Sequence, residues 1–257
     1  MVKVQMPKAK ERKGKEGVFK MIGKSFPTYF KNLNFSLPFL FLIALILILV
    51  LVFTFTLGPS LERVQDFQFS GTDLALIVTV ALFFLVILMT VSSFITSGII
   101  GMASEIVNRG KSNLSTFFKS GGKFWLRFLG ATLTVLVLVG VPFLILLLIA
   151  DNFVQNSSIV VQTVVVIIMV LLLLAFFVLF TLAPYLLVMR DLRVFASIKE
   201  SYGIAKRNYL DLILLTLIFM VASIGINLIP YVGVIVNMLI MAPIQTLVLI
   251  LFINSRK

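Results

Sequence analysis

The chain has 257 residues, of which 60% are hydrophobic and only 12% are charged, and its formal net charge is +12. Soluble domains carry about 25% charged residues, and a small globule cannot hide this much apolar surface from water. Lipid is the solvent that tolerates such a composition, so we expect a membrane protein. The chain has neither cysteine nor histidine, which excludes disulfides, thiolate metal sites and imidazole chemistry.

The chain begins with a polar, lysine-rich stretch over residues 1–17, which predicts a disordered tail ahead of one membrane domain over 18–257. Apolar and basic positions then recur at helical spacing over 18–32, which predicts an amphipathic helix. A second such segment covers about 114–128, and a third covers 194–208. We expect these helices to lie on the cytoplasmic face.

Six apolar runs are long enough to cross a hydrocarbon core about 30 Å thick. They cover about residues 37–57, 74–103, 128–150, 159–189, 210–229 and 234–253. The even-numbered runs each carry a helix-weakening pair, so we predict kinks at Gly98, Pro184 and Pro243. Asp191, after the fourth run, is the predicted N-cap of the third amphipathic helix. The predicted fold class is an all-α polytopic membrane protein with six transmembrane helices.

Lysine and arginine sort to one side of this topology. Nine lie in the tail and first amphipathic segment, five in each of the loops 104–128 and 190–210, and two at the C-terminus, which leaves only Arg63 opposite. By the positive-inside rule, both termini and both long loops are cytoplasmic. The same rule accounts for the net charge, so we expect no nucleic acid as a partner.

An internal repeat is predicted from the amphipathic segments. Residues 18–32 and 194–208 share identities at Val18/Val194, Phe19/Phe195, Ile22/Ile198, Ser25/Ser201 and Asn32/Asn208. The segment 114–128 keeps only their apolar and basic character. The predicted unit is an amphipathic helix followed by a hairpin of two spans, the second kinked, and it is used three times.

The candidate site residues are basic or neutral polar. The basic ones are Lys119, Lys123, Arg127, Lys199, Lys206 and Arg207. They either gather anionic lipid head groups of the cytoplasmic leaflet or serve only as topology determinants and interface anchors. The neutral ones, Asn227, Asn237 and Gln245, either line a polar cavity or make hydrogen bonds between helices.

The interior of the predicted spans holds no charged residue, since Asp73, Glu105, Asp151 and Asp211 all lie at span ends, and this argues against intramembrane acid–base chemistry. The sequence also lacks a phosphate-binding loop and a cluster of metal ligands. We therefore predict no enzyme, no cofactor and no metal.

A family resemblance rests on four short motifs. These are Lys31-Asn32 and Arg207-Asn208 before spans, IVNRG (106–110) after a span, and NLIPYVG (227–233) before the last span. With them the chain resembles the six-span membrane domain attached to some glycerophosphoryl diester phosphodiesterases, and its stand-alone prokaryotic relatives, over about residues 18–255. The resemblance implies a prokaryotic cell membrane and a module without catalytic residues, because hydrolysis in the fused proteins belongs to a separate soluble domain.

Two functions follow as hypotheses. The first is a non-enzymatic membrane module that binds lipid or a membrane or cytoplasmic protein partner, with a role in envelope homeostasis. It predicts an apolar cleft that opens laterally to the bilayer near Pro184 and Pro243. The second is a transporter membrane subunit, permease-like or substrate-binding, that works with a separate ATPase. It predicts a polar cavity lined by Asn227, Asn237 and Gln245.

Overall fold

The structure is a computed structural model that describes residues 16–65, 71–154, 158–230 and 232–256. All but the last two residues of the predicted tail lie outside this part. Within it the chain is helical and forms no strand. The α-helices are α1 Val18–Phe30, α2 Leu37–Gln65, α3 Gly71–Arg109, α4 Leu114–Val154, α5 Ile159–Phe180, α6 Ala183–Arg190, α7 Val194–Arg207, α8 Tyr209–Asn227, α9 Gly233–Val236 and α10 Ala242–Ser255.

Six helical segments of the described part are long and apolar enough to cross a membrane, as a multi-pass membrane protein requires. They are Leu33–Leu57, Leu74–Arg109, Leu114–Ala150, Ile159–Arg190, Tyr209–Asn227 and Gly233–Ser255. The prediction of an all-α fold with six such helices is confirmed. The second amphipathic segment and the third span, however, form one continuous helix, α4.

The secondary structure changes ahead of two of the predicted kinks. The fourth span divides into α5 and α6 just before Pro184, and a π-helical turn, Asn237–Met241, joins α9 to α10 just before Pro243. A proline has no N–H to donate to the carbonyl four residues back, so it weakens a helix at these places. Helix α3 continues unchanged through Gly98. The bends themselves stay predictions.

The N-cap prediction for Asp191 is wrong. Asp191 is the C-cap of α6 in a left-handed conformation (φ 52°, ψ 42°), and Arg193 is the N-cap of α7. A left-handed residue is a common way to end a helix, and aspartate tolerates this conformation better than most residues. The conformation turns the chain from α6 into α7 within three residues.

Three helices, α3, α6 and α10, contact one another at the centre. Each is covered by a different neighbour: α4 packs on α3, α7 on α6, and α1 on α10. The largest fully buried side chains of the three central helices are Ile100, Met102, Ile106, Leu186, Leu187 and Phe252. Further along α2 to α5, large apolar side chains such as Phe55 and Phe83 are exposed, as lipid-facing residues should be.

Polar contacts gather the basic segments at one end of the bundle, which we call the basic end. Asn32 Nδ2 donates to the Gly110 carbonyl oxygen at 3.2 Å. Lys123 of α4 reaches Asp191 after α6, and Arg256 after α10 reaches Asp211 at the start of α8. The long basic loops and the ends of the central helices therefore lie together.

Candidate functional site

The break in the fourth span shapes the candidate site. Helix α5 ends at Phe180, and the last carbonyl groups of a helix have no donor within it. Ser201 Oγ, on α7, donates to the Leu179 carbonyl oxygen at 2.9 Å. The hydroxyl therefore attaches α7 to the broken end of the span.

A cleft of about 330 Å³ lies beside this break, at the junction of α5, α7 and α8. Its walls are almost wholly apolar, and its lining side chains are Ala175, Phe176, Leu179, Lys206 and Tyr209. Lys206 is the one charged residue among them. We call this site the Lys206 cleft. An apolar cavity with a cation at its rim matches a molecule with an apolar body and an anionic end.

Two aromatic rings lie beside Lys206 at the rim of the Lys206 cleft. The Lys206 Nζ lies 6.0 Å from the centroid of the Tyr202 ring. That ring stacks on Phe180, with centroids 6.4 Å apart and planes at 26°. The ammonium group is exposed and is attracted weakly by the ring face. The position of Lys206 is thus supported by the last residue of α5.

The structure divides the six predicted basic site residues into two groups. Lys119, Lys199, Lys206 and Arg207 are exposed, with no carboxylate paired to them in the described part of the chain. Lys123 Nζ and Arg127 Nη1 lie 2.6 and 2.7 Å from the carboxylate oxygens of Asp191. These two cations therefore link α4 to the α6–α7 connection.

The pairing with Lys123 and Arg127 changes the pKa of the Asp191 carboxyl group. The hydrogen bond from Lys123, followed by that from Arg127, lowers the pKa of Asp191 below its ordinary value. The carboxylate is therefore charged throughout the physiological pH range. The sequence shows the lysine, the arginine and the aspartate but not their pairing, because 64 and 68 residues separate them.

Cations outnumber acids over the part of the chain whose side chains the structure describes. Its five acidic residues all pair with a base: Glu16 with Lys24, Glu105 with Arg109, Asp191 with Lys123 and Arg127, Glu200 with Arg190, and Asp211 with Arg256. Eight exposed cations there have no such partner: Lys20, Lys31, Lys111, Lys119, Arg193, Lys199, Lys206 and Arg207. The basic end therefore carries an uncompensated positive charge.

The three neutral candidates do not line the Lys206 cleft. Asn237 Oδ1 accepts a hydrogen bond from Ser223 Oγ at 3.0 Å, between the π-helical turn and α8. Asn227 is exposed at the end of α8, and Gln245 is half-buried in α10. The contact of Asn237 is of the interhelical kind. The polar cavity stays a prediction.

A second apolar cleft of about 310 Å³ lies between α2 and α3. Its lining side chains, which include Phe53, Phe84 and Leu88, carry no polar group. The two clefts therefore differ in chemistry, because only the Lys206 cleft combines an apolar wall with a charge.

The break before Pro243 involves a residue that the sequence did not single out. Pro243 leaves the Leu239 carbonyl without its helical donor. The Tyr29 hydroxyl, on α1, donates to that carbonyl oxygen at 2.6 Å and lies 2.8 Å from Ser36 Oγ. The proline indicates a carbonyl without a donor, but not the tyrosine that supplies one, which lies 210 residues earlier.

A comparison with family models finds one described as a domain of unknown function (DUF7847), which matches residues 27–253. Comparisons with curated proteins and with solved structures found no match.

Proposed function

We propose a lipid-binding role for this chain, which belongs to the DUF7847 family. The chain acts as a non-enzymatic integral membrane module that holds a lipid in the Lys206 cleft. The observation that carries the proposal is the position of Lys206 at the rim of an otherwise apolar cleft. Phe176, on the wall, is 43% exposed. A cleft formed partly by such a lipid-facing side chain is open to an acyl chain from the bilayer.

The uncompensated charge of the basic end supports an orientation. Lysine and arginine are retained on the cytoplasmic side, where the leaflet is also anionic. We therefore place the basic end, with both termini, at the cytoplasmic surface of a prokaryotic cell membrane. Phe19 and Phe195 fit this placement, because each is more than 70% exposed on a helix that also carries exposed lysines. Such helices lie flat in the head-group region, with their aromatic rings towards the hydrocarbon core of the bilayer.

The resemblance to the membrane domain of glycerophosphoryl diester phosphodiesterases agrees with a module that serves lipid without catalysing a reaction. A transporter subunit is the other hypothesis, and it requires a polar cavity. The hydrogen bond from Ser223 to Asn237 favours the packing role of that asparagine instead. Partner identification is therefore built into the test.

Native mass spectrometry of the protein, extracted gently from its own membrane, tests the proposal. We expect one retained phospholipid on the wild-type chain and at least a fivefold loss of that adduct in Lys206→Gln. Lys119→Gln is the matched control, because it removes the same charge from an exposed lysine outside the lining of the cleft. The control should keep the adduct.

Three results would overturn the proposal. One is a chain that carries no lipid. Another is equal loss of lipid in both variants, which would assign the adduct to general surface charge. The third is a stoichiometric ATPase with no bound lipid, which would favour the transporter subunit.

A further inference from the structure

Three surface segments occupy related positions at the basic end: α1, the first turns of α4, and α7. Each covers one central helix, so that α4 covers α3, α7 covers α6, and α1 covers α10. Each of α4 and α7 therefore covers the last helix of the preceding unit, and α1 of the first unit covers α10 of the last. The offsets of 96 and 176 residues that relate the segments also superimpose some of their buried positions. Three positions are buried in all three segments: Met21/Phe117/Ser197, Ser25/Gly121/Ser201 and Asn32/Phe128/Asn208.

The ends of α1 and α7 repeat in detail. Asn32 has φ −131° and ψ 52°, and Asn208 has φ −132° and ψ 34°. Each donates its Nδ2 to the carbonyl oxygen four residues earlier, at 2.9 Å in both cases. Both side chains are buried. This shared ending supports the repeat for α1 and α7, whereas the third segment has Phe128 at the corresponding position, inside the continuous helix α4.

The junction between α3 and α4 is closed by glycine. A Cβ atom on Gly98 would lie 2.5 Å from the Phe117 ring, and one on Gly121 would lie 3.0 Å from Phe94. Such approaches are possible only because glycine has no side chain. The first of the three related junctions therefore has no space for a ligand between its two helices.

The junction between α1 and the π-helical turn is closed by a tyrosine. Tyr29 is 3% exposed, and its hydroxyl donates a hydrogen bond to the Leu239 carbonyl that Pro243 leaves without a backbone donor. The next residue, Phe30, is apolar. At the third junction an aromatic residue therefore supplies the donor to the broken helix, and the residue after it is apolar.

The junction of α5, α7 and α8 differs at both of these positions. Ala205 stands where α1 has Tyr29 and where α4 has Trp125, so this junction lacks the aromatic ring that the other two segments carry at that position. Lys206 stands where the other two segments have Phe30 and Leu126. This junction is the one beside which the Lys206 cleft lies.

The charges around the Lys206 cleft select among lipids. A zwitterionic head group carries an ammonium as well as a phosphate, and the ammonium requires a carboxylate or water. The carboxylates nearest in sequence, Glu200 and Asp211, are already paired with Arg190 and Arg256. The lining itself offers only a cation and a phenol.

We propose that the Lys206 cleft is the one lipid-specific junction among three related ones, and that it holds one phospholipid with a net anionic head group per chain. This inference rests on the proposed function and adds to it the lipid class and the stoichiometry. The phosphate lies at Lys206, and one acyl chain lies against Phe176 and Leu179.

Tryptophan fluorescence in vesicles tests the lipid class. Trp125, the chain's one tryptophan, is replaced by phenylalanine, and a new one is placed by Phe176→Trp in the cleft. The matched control is Phe177→Trp, because Phe177 is exposed on the same helix turn but outside the lining. The vesicles contain equal amounts of phosphatidylglycerol and phosphatidylcholine, and the acyl chains of one or the other are brominated to quench nearby tryptophan.

We expect brominated phosphatidylglycerol to be enriched about fivefold over brominated phosphatidylcholine at position 176, which corresponds to about 1 kcal/mol for one lysine near the surface. The enrichment should be absent at position 177 and should be lost from position 176 when Lys206→Gln is added. Ala175→Phe, which fills the cleft from its wall, should displace the single lipid adduct in native mass spectrometry with Lys206 intact.

Equal quenching by the two lipids at position 176 would overturn the inference on lipid class. If native spectra still showed one adduct that depends on Lys206, the proposed function would stand and only the class would be wrong. Two or more adducts of equal stability would overturn the stoichiometry. A chain without any adduct would overturn both proposals.

Discussion

The α3–α4 junction and the α5–α7–α8 junction combine the same kinds of helix, yet one is closed and the other holds a cleft. At the first, Gly98 and Gly121 let an unbroken span and its neighbour touch backbone to side chain. At the second, the span breaks before Pro184, and Ser201 holds the broken end. The comparison teaches that close-packed glycines leave no space at the first junction, whereas the cleft lies beside the junction where the span is interrupted before a proline.

The largest loss of stability is expected from a substitution that forces the closed α3–α4 junction apart. Gly98→Val adds atoms where a Cβ already meets the Phe117 ring at 2.5 Å and the Phe117 carbonyl oxygen at 2.8 Å. Overpacking of this kind costs about 1–3 kcal/mol or more. The thermal midpoint of the purified protein in detergent should fall by several degrees. Gly140→Ala, in open space on α4, is the control and should leave the midpoint unchanged or raise it. An unchanged midpoint for Gly98→Val would contradict the closed junction.

The next effect concerns the junction that Tyr29 caps. Tyr29→Phe keeps the ring but leaves the Leu239 carbonyl without this donor in a partly buried place. An unsatisfied buried polar group costs about 1–3 kcal/mol. We expect a lower thermal midpoint and faster amide exchange over the π-helical turn at 237–241. Exchange that rises equally throughout the bundle would show that the hydroxyl has no local role in capping the turn.

A smaller effect is expected from Ser201→Ala, which removes the hydrogen bond between α7 and the broken end of α5. Bonds between membrane helices contribute about 0.6 kcal/mol on average. Ser197→Ala is the matched control, since Ser197 is equally buried but donates to the Val194 carbonyl within its own helix. Lipid occupancy of the cleft should fall in the first variant and not in the second. Equal occupancy in both would mean that the bond does not shape the cleft.

The smallest effect is expected at the Asp191 pair. This carboxylate is half exposed, so solvent screens its attraction to Lys123 and Arg127. Because folding lowers the pKa of Asp191, its contribution is present above the ordinary value of 3.8 and is lost as pH falls below it. Asp191→Asn should therefore lower the thermal midpoint slightly and by a constant amount from pH 5 to 8, with the difference vanishing in strong acid. A difference that grows towards acid pH would contradict this pairing.

The six spans were predictable because lipid imposes length and composition on any crossing helix. The sites of helix interruption were partly predictable, because Pro184 and Pro243 remove backbone donors wherever they occur. The side-chain donors near these breaks, Ser201 to the Leu179 carbonyl and Tyr29 to the Leu239 carbonyl, were not predictable. Their partners lie 22 and 210 residues away, and only the folded arrangement brings them together.

The sequence predicted that basic residues form the candidate site, but not which of them lie at the cleft. Charge patterning singled out six cations that are equivalent in sequence. The structure then joins Lys123 and Arg127 to Asp191 and places Lys206 at a cleft. Lys206 is the one of the six that lines this cleft, and the sequence could not single it out, because part of the wall comes from a different helix, α5.

Photocrosslinking in the native membrane tests the central claim most directly. A benzoylphenylalanine replaces Phe176 in one variant and Phe177 in another, so that neighbouring positions report on the cleft and on bulk lipid at the same depth. We predict that crosslinked lipid at position 176 is enriched in anionic phospholipid over the membrane average and that lipid at position 177 matches the average. Identical lipid compositions at the two positions would contradict the account.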